Sequence, residues 1–362
     1  MLFLGKVMQP ISRAKTPIQT LRAPGRGILT VSTAVADPAA IFSKYFGKKT
    51  YDIGAKWTPE FRDPTQPIVL GYPCDTGSGI VRGSAYGPIA IREALYKKNP
   101  KLAANDFGDV PVIPNLLHDS MLNKAQLDRS GAYLYESGIP HRAVSPLSLL
   151  EEILVQILES HPGAKTLTLG GDHSMSGAVM RAYRRAGRHH GLAMLQLDAH
   201  TDLMEERFGV EHCFATWSAH AVREFQNPAA FVQVGLRASR YGKEHWESEF
   251  GLKQYWSKEV RSKSAVNFAD ALLKHWASLN CERLYISNDI DGTDALEAPS
   301  TGTPETGGLR SEWVCKLLAR LSARIEIVGS DLVEVAPVLG APAQQKKTVA
   351  CARDQILALF GR

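Results

Sequence analysis

The sequence predicts one α/β domain, a three-layer α/β/α sandwich built on a mostly parallel sheet. From about residue 67 onward, segments with the apolar composition of strands alternate with segments of helical composition. The strand segments are nearly continuous apolar runs, which is typical of parallel strands that are buried on both faces. No linker rich in glycine, serine or proline and no internal repeat divides the 362 residues, so a single large domain is the simplest interpretation.

The first half of the alternation begins with a strand at 67–73, "PIVLGYP", and a helix at 87–98, "GPIAIREALYKK". Residues 99–144 have the weakest periodicity, and we expect an irregular excursion there. The segment 145–160, "SPLSLLEEILVQILES", places its leucines and isoleucines on one helical face. Ser145 fits the N-cap of this helix, and the proline after it fits the first helical position.

The second half continues the alternation with stronger patterns. Five further strands are predicted at 166–171, 192–198, 231–236, 283–289 and 324–335. Helices are predicted between and after them at 176–187, 214–224, 268–279, 312–323 and 349–360. Because parallel strands need crossover connections, we expect these helices to cover both faces of the sheet.

Composition narrows the class of protein. No apolar run approaches the roughly 18 residues of a membrane span, and the apolar start "MLFL" is too short for the core of a signal peptide. The formal net charge of +5 is small and spread along the chain, so neither nucleic acid nor a membrane is expected as a partner. The five cysteines form no CxxC pair and are odd in number, which argues against disulfides and a structural zinc site and favours the cytoplasm.

The N-terminus has the one local charge bias. Residues 1–36 contain five basic residues and no acidic one. This composition is also compatible with an organellar transit peptide, so a mitochondrial or other organellar location stays open. Three prolines interrupt any amphipathic helix there. We therefore expect residues 1–50 to form a disordered or surface-draped arm and residues 51–362 to form the folded domain.

Acidic residues and histidines follow four of the predicted strands. In open parallel sheets, ligands bind outside the carboxyl ends of the strands, where the loops converge. A strand-end aspartate alone is often a turn former or a helix cap, which suits Asp172, Asp294 and Asp331. Grouped by strand, the residues are Asp172 and His173; Asp198, His200 and Asp202; Asp289, Asp291 and Asp294; and Asp331 and Glu334.

The spacing within the motif "DAHTD" favours a metal site. In an extended segment, residues i, i+2 and i+4 point the same way, so Asp198, His200 and Asp202 share one side. Asp289 and Asp291 repeat the spacing after another strand. Crowded carboxylates and imidazoles repel one another or stay unsatisfied unless cations neutralise them. The pattern therefore predicts two divalent ions.

At these residues the sequence resembles the ureohydrolase family, the arginases and agmatinases, which hydrolyse guanidino compounds to urea and an amine at a binuclear manganese centre. Three family motifs appear in order: "GGDHS" at 170–174, "DAHTD" at 198–202 and "SNDIDGTDALEAPSTGTPETGG" at 287–308. The likeness covers roughly residues 67–360. The resemblance implies the arginase-like form of the sandwich, a small guanidino substrate and a homo-oligomer, either a trimer or a hexamer.

The resemblance also implies a set of metal ligands. Asp198 and Asp289 would bridge two ions. Carboxylates and imidazoles without thiolate suit Mn²⁺, with Ni²⁺ as the second choice. The implied ligands are His173, Asp198, Asp202 and Asp289 for one ion, and His200, Asp198, Asp289 and Asp291 for the other.

Three catalytic roles follow from the same resemblance. A guanidinium carbon is a poor electrophile, and the resemblance implies attack by a metal-bridging hydroxide that Asp202 orients. The leaving amine must be protonated, and His212 is the implied acid. Glu334 resembles the carboxylate that pairs with the planar guanidinium of the substrate.

The segment 203–211, "LMEERFGVE", bears on the substrate. It has the short agmatinase-like length and lacks the Asn and Ser residues with which arginases hold the α-carboxylate and α-amine, so agmatine is favoured over arginine. Its three glutamates, Glu205, Glu206 and Glu211, fit either the second cation of agmatine or a solvated charged loop. Arg82 and Arg207 fit the carboxylate of a guanidino acid, and these alternatives stay open. Asn288 and the segment "GTDAL" depart from the family pattern, and we expect them to reshape the pocket wall.

Two other functions compete with amidine hydrolysis. Deacetylases of acylated amines share the fold, but they use one zinc ion and fewer ligands, so the presence of both His173 and Asp291 argues against them. A non-catalytic regulatory subunit is disfavoured because all the implied ligand positions are intact. The sequence therefore predicts a binuclear metal-dependent amidinohydrolase, agmatinase-like, with arginase and guanidino-acid or guanidine hydrolase as alternatives.

Overall fold

The structure is a computed structural model that describes residues 61–110, 112–113, 115–135 and 142–361. The arm predicted for residues 1–50, and with it the domain boundary at residue 51, lies outside the described residues. The elements below all belong to the described part of the chain.

One parallel sheet forms the middle layer. Its strands are β1 Ile68–Gly71, β2 Asp106–Asp109, β3 Thr166–Leu169, β4 Leu192–Leu197, β5 Phe231–Leu236, β6 Lys253–Trp256, β7 Arg283–Asp289 and β8 Glu326–Val333. Their order across the sheet is β2-β1-β3-β8-β7-β4-β5-β6, and every neighbouring pair is parallel. The predicted α/β class is confirmed, and this sheet is parallel throughout.

Ten α-helices accompany the sheet in the described residues. They are α1 Gly87–Lys98, α2 Lys124–Leu134, α3 Pro146–Ser160, α4 Met175–Arg185, α5 Trp217–Val222, α6 Lys243–Phe250, α7 Ser257–Val260, α8 Ala265–Ser278, α9 Ser311–Ser322 and α10 Pro342–Phe360. The last helix begins at residue 342 rather than at the predicted 349. No helix in the described ranges has both the length and the apolar character needed to cross a membrane.

Helices cover both faces of the sheet. In β1, Ile68 and Leu70 pack into one apolar core with α3, α4 and α5, whereas Val69 packs into the other core with α1, α8, α9 and α10. In β4, Met194 and Leu195 divide between the two cores in the same way. Successive side chains of a strand point to opposite faces, which is why neighbouring residues enter different cores. The three-layer sandwich is therefore confirmed.

The segment 99–144 is more regular than predicted. It contains the edge strand β2 and the helix α2, so the expectation of an irregular excursion is wrong for these elements. The strand is the polar sequence "DFGD" and α2 has a low apolar content, so hydrophobic periodicity carried little signal. Arg92 of α1 holds β2 in place, because its guanidinium pairs with Asp106 at 3.0 Å and also with Asp109.

The structure differs from the prediction at two smaller features, the segment 243–260 and the N-cap of α3. The elements α6, β6 and α7 at 243–260 were not predicted, and β6 forms the other edge of the sheet. Ser145 occupies the N-cap position of α3, but its hydroxyl has no hydrogen-bond partner in the described residues. The carboxylate of Asp119 accepts the backbone N–H of Ser145 at 2.8 Å instead, so the start of the helix is fixed from a distant loop.

Candidate active site

Four adjacent strands in the middle of the sheet, β3, β8, β7 and β4, bring the predicted residues to one edge. Because these strands are parallel, their carboxyl ends lie together. The predicted site residues at this edge are buried, except for the partly exposed His200. The full set is His173 after β3, Glu334 after β8, Asp289 and Asp291 at the end of β7, and Asp198, His200 and Asp202 after β4.

The first group of side chains surrounds the Nδ1 atom of His173. This atom lies 3.1 Å from Asp289 Oδ2, 3.2 Å from Asp198 Oδ2 and 3.3 Å from Asp202 Oδ2. It is buried and has no hydrogen-bond partner in the described residues. The ring is held from its other side, because Nε2 lies 2.9 Å from Ser287 Oγ. His173 therefore presents one nitrogen to three carboxylates.

The second group contains His200, Asp291 and Asp198. The Nδ1 atom of His200 lies 3.1 Å from Asp291 Oδ2 and 3.6 Å from Asp198 Oδ1. The two oxygens of Asp198 thus face different histidines, and Asp198 belongs to both groups. Asp289, the other predicted bridge, lies in the first group. One shared carboxylate joins the two groups into a single cluster.

The spacing of these atoms is that of ligands around a common cation. Neighbouring ligands of an octahedral ion with bonds of about 2.1 Å are about 3 Å apart. The three carboxylate oxygens lie 3.1, 3.2 and 3.3 Å from Nδ1 of His173. A buried nitrogen without a partner is costly unless something else binds it. The residues therefore fit divalent cations held by imidazole and carboxylate.

Burial and mutual repulsion govern the ionisation of the cluster. Burial, and then the charges of Asp291 and Asp198, raises the pKa of Asp289 well above its usual range. Burial alone would lower the pKa of His173, but the three surrounding carboxylates, of Asp198, Asp202 and Asp289, raise that pKa overall. Burial also opposes protonation of His200, yet Asp291 and Asp198 raise its pKa to about 12. The cluster thus retains protons that a bound cation would displace.

Further side-chain contacts fix the ligand side chains. The indole Nε1 of Trp217 donates to Asp202 Oδ2 at 2.8 Å, and Thr303 Oγ1 donates to Asp291 Oδ2 at 3.0 Å. The backbone of Asp202 is left-handed, with φ of 53°. A non-glycine residue keeps this conformation only where its surroundings hold it, and such positions concentrate at functional sites. These contacts hold each carboxylate in one orientation.

Arg237, directly after β5, fixes the loop that carries Asp291. Its guanidinium donates to the backbone carbonyl oxygens of Asp291 at 2.6 Å and Glu305 at 2.9 Å. Gly292 lets this loop approach β4, since a Cβ atom there would lie 2.8 Å from the backbone nitrogen of Asp198. Sequence reasoning missed Arg237, although a charged residue directly after a predicted strand was a signal that pointed to it.

Asp331 has a role that its sequence context did not indicate. It lies inside β8 and accepts hydrogen bonds from Ser287 Oγ at 2.8 Å and from two other buried hydroxyls, so its interpretation as a turn former or cap is wrong. Since Ser287 also contacts His173 Nε2, a buried chain of hydrogen bonds joins His173 to Asp331. Asp172 and Asp294 do act as turn formers, because each accepts the N–H two residues further on.

Glu334 lies next to the first group. Its Oε1 atom accepts the backbone N–H of His173 at 3.0 Å, and its own backbone is left-handed with φ of 60°. Burial, and then the charge of Asp172, raises the pKa of Glu334 well above its usual range. A planar cation that donates hydrogen bonds to this carboxyl would favour its ionised form.

His212 packs between two other histidines. Its ring centroid is 4.1 Å from that of His118 and 4.8 Å from that of His220. Burial, and then the charges of His118 and Arg181, lowers the pKa of His212 to about 3. The ring is therefore neutral at neutral pH.

Asn288 faces away from the metal cluster. Its Nδ2 atom donates to Gln355 Oε1 in α10 at 2.7 Å. Alternate residues of a strand face opposite sides, and in β7 the site side belongs to Ser287 and Asp289. The expectation that Asn288 reshapes the pocket wall is therefore wrong, and this residue joins the sheet to the last helix instead.

Comparison with families of known proteins matches residues 65–360 to the Arginase family. The matched part includes all eight strands and all the residues of the metal cluster. The chain belongs to the arginase family. This confirms the predicted family, the arginase-like fold and the prediction that the chain is a hydrolase of the ureohydrolase class.

Relatives within the arginase family have comparable identities to this chain. Guanidinobutyrase of Pseudomonas aeruginosa is 30% identical over 289 residues, which cover 77% of this chain and 82% of that protein. Agmatinase of Bacillus anthracis is 29% identical over 281 residues, which cover 77% of this chain and 86% of that protein. The solved structure of proclavaminate amidino hydrolase from Streptomyces clavuligerus matches with a TM-score of 0.63 and 25% identity, covering 82% of this chain and 92% of that chain.

Proposed function

We propose that this arginase-family protein hydrolyses a small linear guanidino compound to urea and an amine, with agmatine as the expected substrate. The observation that carries the proposal is Asp198, whose two oxygens face two separate groups that each contain a histidine. A carboxylate that presents one oxygen to each group can hold two metal ions close together, as two-metal catalysis requires. The names of two relatives, guanidinobutyrase and agmatinase, support the same class of substrate.

The centre is proposed to hold two Mn²⁺ ions, with Ni²⁺ as the alternative. Carboxylate-rich ligation with imidazole and without thiolate suits Mn²⁺. Bound there, the ions would supply an activated water nucleophile near neutral pH. The proposed ligands are His173, Asp198, Asp202 and Asp289 for one ion, and His200, Asp198, Asp289 and Asp291 for the other.

Glu334 is proposed to bind the guanidinium of the substrate. Its Oε1 atom is already held by the backbone N–H of His173, so Oε2 is the oxygen that would receive the substrate. Gly302 lies close to Oε2 of Glu334: a Cβ atom added to this glycine would be 4.0 Å from that oxygen. Because residue 302 is a glycine, it has no side chain that would cover Oε2. A carboxylate and a guanidinium form strong charge-assisted hydrogen bonds. Glu334 would thus orient the substrate towards the carboxylate cluster.

His212 is proposed to transfer a proton to the leaving amine. Since its pKa is lowered to about 3, chiefly by burial, the ring is neutral near neutral pH and would have to take up a proton from the attacking water before it acts as an acid. The same ring would then donate this proton to the leaving nitrogen, which general acid–base catalysis requires before the C–N bond breaks. Asp202, held by the indole of Trp217, would orient the attacking water.

Acidic residues are available for the amine end of agmatine in the segment that follows Asp202. Glu206 and Glu211 are exposed there. Glu205 is also exposed but is paired with Arg223. Two exposed carboxylates would attract the second positive charge of agmatine, although screening by solvent keeps such an interaction weak.

A guanidino acid is the second candidate substrate, and Arg207 is the observation that favours it. Its guanidinium carbon lies 5.6 Å from the ring centroid of Phe208 and 5.0 Å from that of Phe214. Stacking on aromatic rings holds an arginine side chain without using up its hydrogen-bond donors. Arg207 would therefore be able to bind the carboxylate of a substrate such as guanidinobutyrate.

Assembly is proposed from the family resemblance, and location from the composition of the chain. We expect a homo-oligomer, a trimer or a hexamer, whose catalytic domain is formed by residues 51–362. A cytoplasmic location is expected, with mitochondria as the alternative if the basic segment 1–50 acts as a transit peptide. The alternative is supported by a relative from Gallus gallus, 30% identical over 277 residues, that is named as a mitochondrial agmatinase.

Metal content and urea release test the proposed function. The full chain is loaded with Mn²⁺ and assayed with arginine, agmatine, guanidinobutyrate and guanidine, while an acetylated polyamine tests the deacetylase alternative. We expect about two Mn²⁺ per chain and urea from agmatine or guanidinobutyrate. If none of these guanidino compounds yields urea from the metal-loaded protein, the proposal fails.

A further inference from the structure

Three glutamines are aligned in the buried part of the sheet. Gln196 in β4, Gln233 in β5 and Gln254 in β6 are each 0% exposed. They stand opposite one another in register on three adjacent strands. Burying an amide costs free energy unless its polar atoms are hydrogen-bonded. The partners of these amides therefore indicate what the row of glutamines does.

The three amides form one line of hydrogen bonds, which we name the glutamine ladder, and it ends on Asp198. Gln254 Nε2 donates to Gln233 Oε1 at 2.8 Å, and Gln233 Nε2 donates to Gln196 Oε1 at 2.7 Å. Gln196 Nε2 then donates to Asp198 Oδ2 at 2.8 Å. At the far end, Trp256 Nε1 donates to Gln254 Oε1 at 3.2 Å.

The direction of the glutamine ladder is fixed at both ends. The indole N–H of Trp256 only donates, so the oxygen of Gln254 must face it. An ionised Asp198 only accepts, so the nitrogen of Gln196 must face the carboxylate. The middle amide is fixed independently, because Gln233 Nε2 also donates to the carbonyl oxygen of Thr201 at 2.6 Å. All three amides thus direct their N–H groups towards Asp198, and aligned hydrogen bonds polarise one another.

We propose that the glutamine ladder positions Asp198, so that each oxygen of the shared carboxylate faces one metal position, and that it sets the affinity for the ion beside His173. The proposal rests on the metal centre of the proposed function. The ladder donates to Oδ2, the oxygen that faces His173 Nδ1, whereas Oδ1 accepts the backbone N–H of His200 at 2.7 Å. With one donor on each oxygen, the carboxylate cannot rotate freely. Only the Oδ2 side depends on the ladder.

Helix α5 connects the glutamine ladder to a second ligand of the same ion. Ser218 Oγ donates to Gln196 Oε1 at 2.8 Å, and the adjacent Trp217 donates to Asp202 Oδ2 at 2.8 Å. One short helix therefore supports both Asp198, through Gln196, and Asp202 directly. Outer contacts of this kind tune the affinity of a metal site by restricting its ligands.

Substitutions along the glutamine ladder test its role. Gln196→Met removes the donor to Asp198 at nearly constant volume, and Gln233→Met breaks the ladder one strand further away. Gln355→Met is the matched control, because Gln355 is also 0% exposed and bonds to Asn288 and Thr293 rather than to Asp198. Dissociation constants for Mn²⁺ are measured by chelator competition, and thermal unfolding of the metal-free proteins reports on folding.

We expect Gln196→Met to weaken the binding of one of the two ions by about 10- to 100-fold, the usual effect of losing an outer contact of a metal ligand. Gln233→Met should weaken the binding of the same ion to a smaller extent. Gln355→Met should leave both dissociation constants unchanged even if it lowers the unfolding temperature. A graded loss of affinity that does not follow the loss of stability would show that the ladder acts on the metal centre.

Wild-type affinity for both ions in Gln196→Met would overturn the proposal, as would an equal loss of affinity in Gln355→Met. If Gln196→Met does not fold, an unchanged affinity in Gln233→Met overturns it. The proposed function is tested separately. A wild-type chain that binds two ions but releases no urea overturns the hydrolase activity, while the comparison of ion affinities still decides the role of the ladder.

Discussion

Glu334 accepts a hydrogen bond from the backbone N–H of His173 at 3.0 Å. The two residues follow neighbouring parallel strands, β8 and β3. The carboxylate proposed to bind the guanidinium is therefore fixed to the turn that carries a proposed metal ligand. Because the donor is a backbone N–H of the metal-binding turn, the substrate and the metal centre would be held in one geometry, as efficient attack on a bound substrate requires.

Glu334→Gln should weaken substrate binding without loss of metal. Glutamine keeps an oxygen for the N–H of His173 but has no negative charge for the guanidinium. A hydrogen bond to a charged group contributes about 1.5–3 kcal/mol, so we expect KM to rise by about 10- to 100-fold. Urea-release kinetics and metal analysis measure the two effects. Glu326→Gln, at the exposed start of the same strand, is the control, and loss of metal in Glu334→Gln would contradict the assignment.

Asp198→Asn should impair both metal positions, because Asp198 belongs to both groups of ligands. Asp291→Asn should impair mainly the position beside His200, since Asp291 lies in the second group. After dialysis we expect close to no Mn²⁺ in the first variant and about one ion per chain in the second. Elemental analysis of the folded proteins distinguishes these results. Retention of one tightly bound ion by Asp198→Asn would show that the carboxylate is not shared.

His212→Ala should keep both ions and lose catalytic rate. The described ring contacts of His212 are with His118 and His220, so its removal leaves the carboxylate cluster intact. Loss of a group that transfers protons typically lowers kcat by about 10²- to 10⁴-fold. His245→Ala serves as the control, because His245 is a partly exposed histidine on α6. Metal loss equal to that of Asp198→Asn would rule out the proposed role.

The central strands and the helices around them follow from the sequence because each buries a continuous or periodic set of apolar residues. The edge strands β2 and β6 did not show this signal. In β2 the sequence "DFGD" is half polar, and its place depends on ion pairs with Arg92 in the preceding helix α1. Contacts between separate segments leave no local periodicity in the sequence.

The same limit applies within the site. The motifs identified the candidate ligands because carboxylates and histidines at alternate positions after a strand are unusual. The supporting residues carry no such pattern: Gln196, Gln233 and Gln254 are single polar residues in apolar strands, and their alignment appears only through the strand register. Asn288 looked like a departure in the pocket but faces α10, since strand alternation decides its direction.

Arg92 provides a prediction about stability away from the metal centre. Its side chain is 11% exposed and that of Asp109 is 6% exposed, and the guanidinium also donates to the carbonyl oxygen of Gly108 at 2.7 Å. Arg92→Met would leave Asp109 buried without its cation. Removing one partner of a buried ion pair costs about 3–5 kcal/mol, and we expect a loss of that size in the free energy of unfolding near neutral pH, measured with urea.

This loss should depend on pH, with a sign set by Asp109. Burial raises the pKa of Asp109 although Arg92 acts against it, so removing Arg92 should raise that pKa further. A carboxyl group with a higher pKa in the folded state takes up protons preferentially there, and the resulting stability is lost as the pH rises. The difference in unfolding free energy between wild type and Arg92→Met should therefore widen from about pH 5 to about pH 8. Adding Asp109→Asn should remove most of this widening, whereas equal differences at both pH values would contradict the role of Asp109.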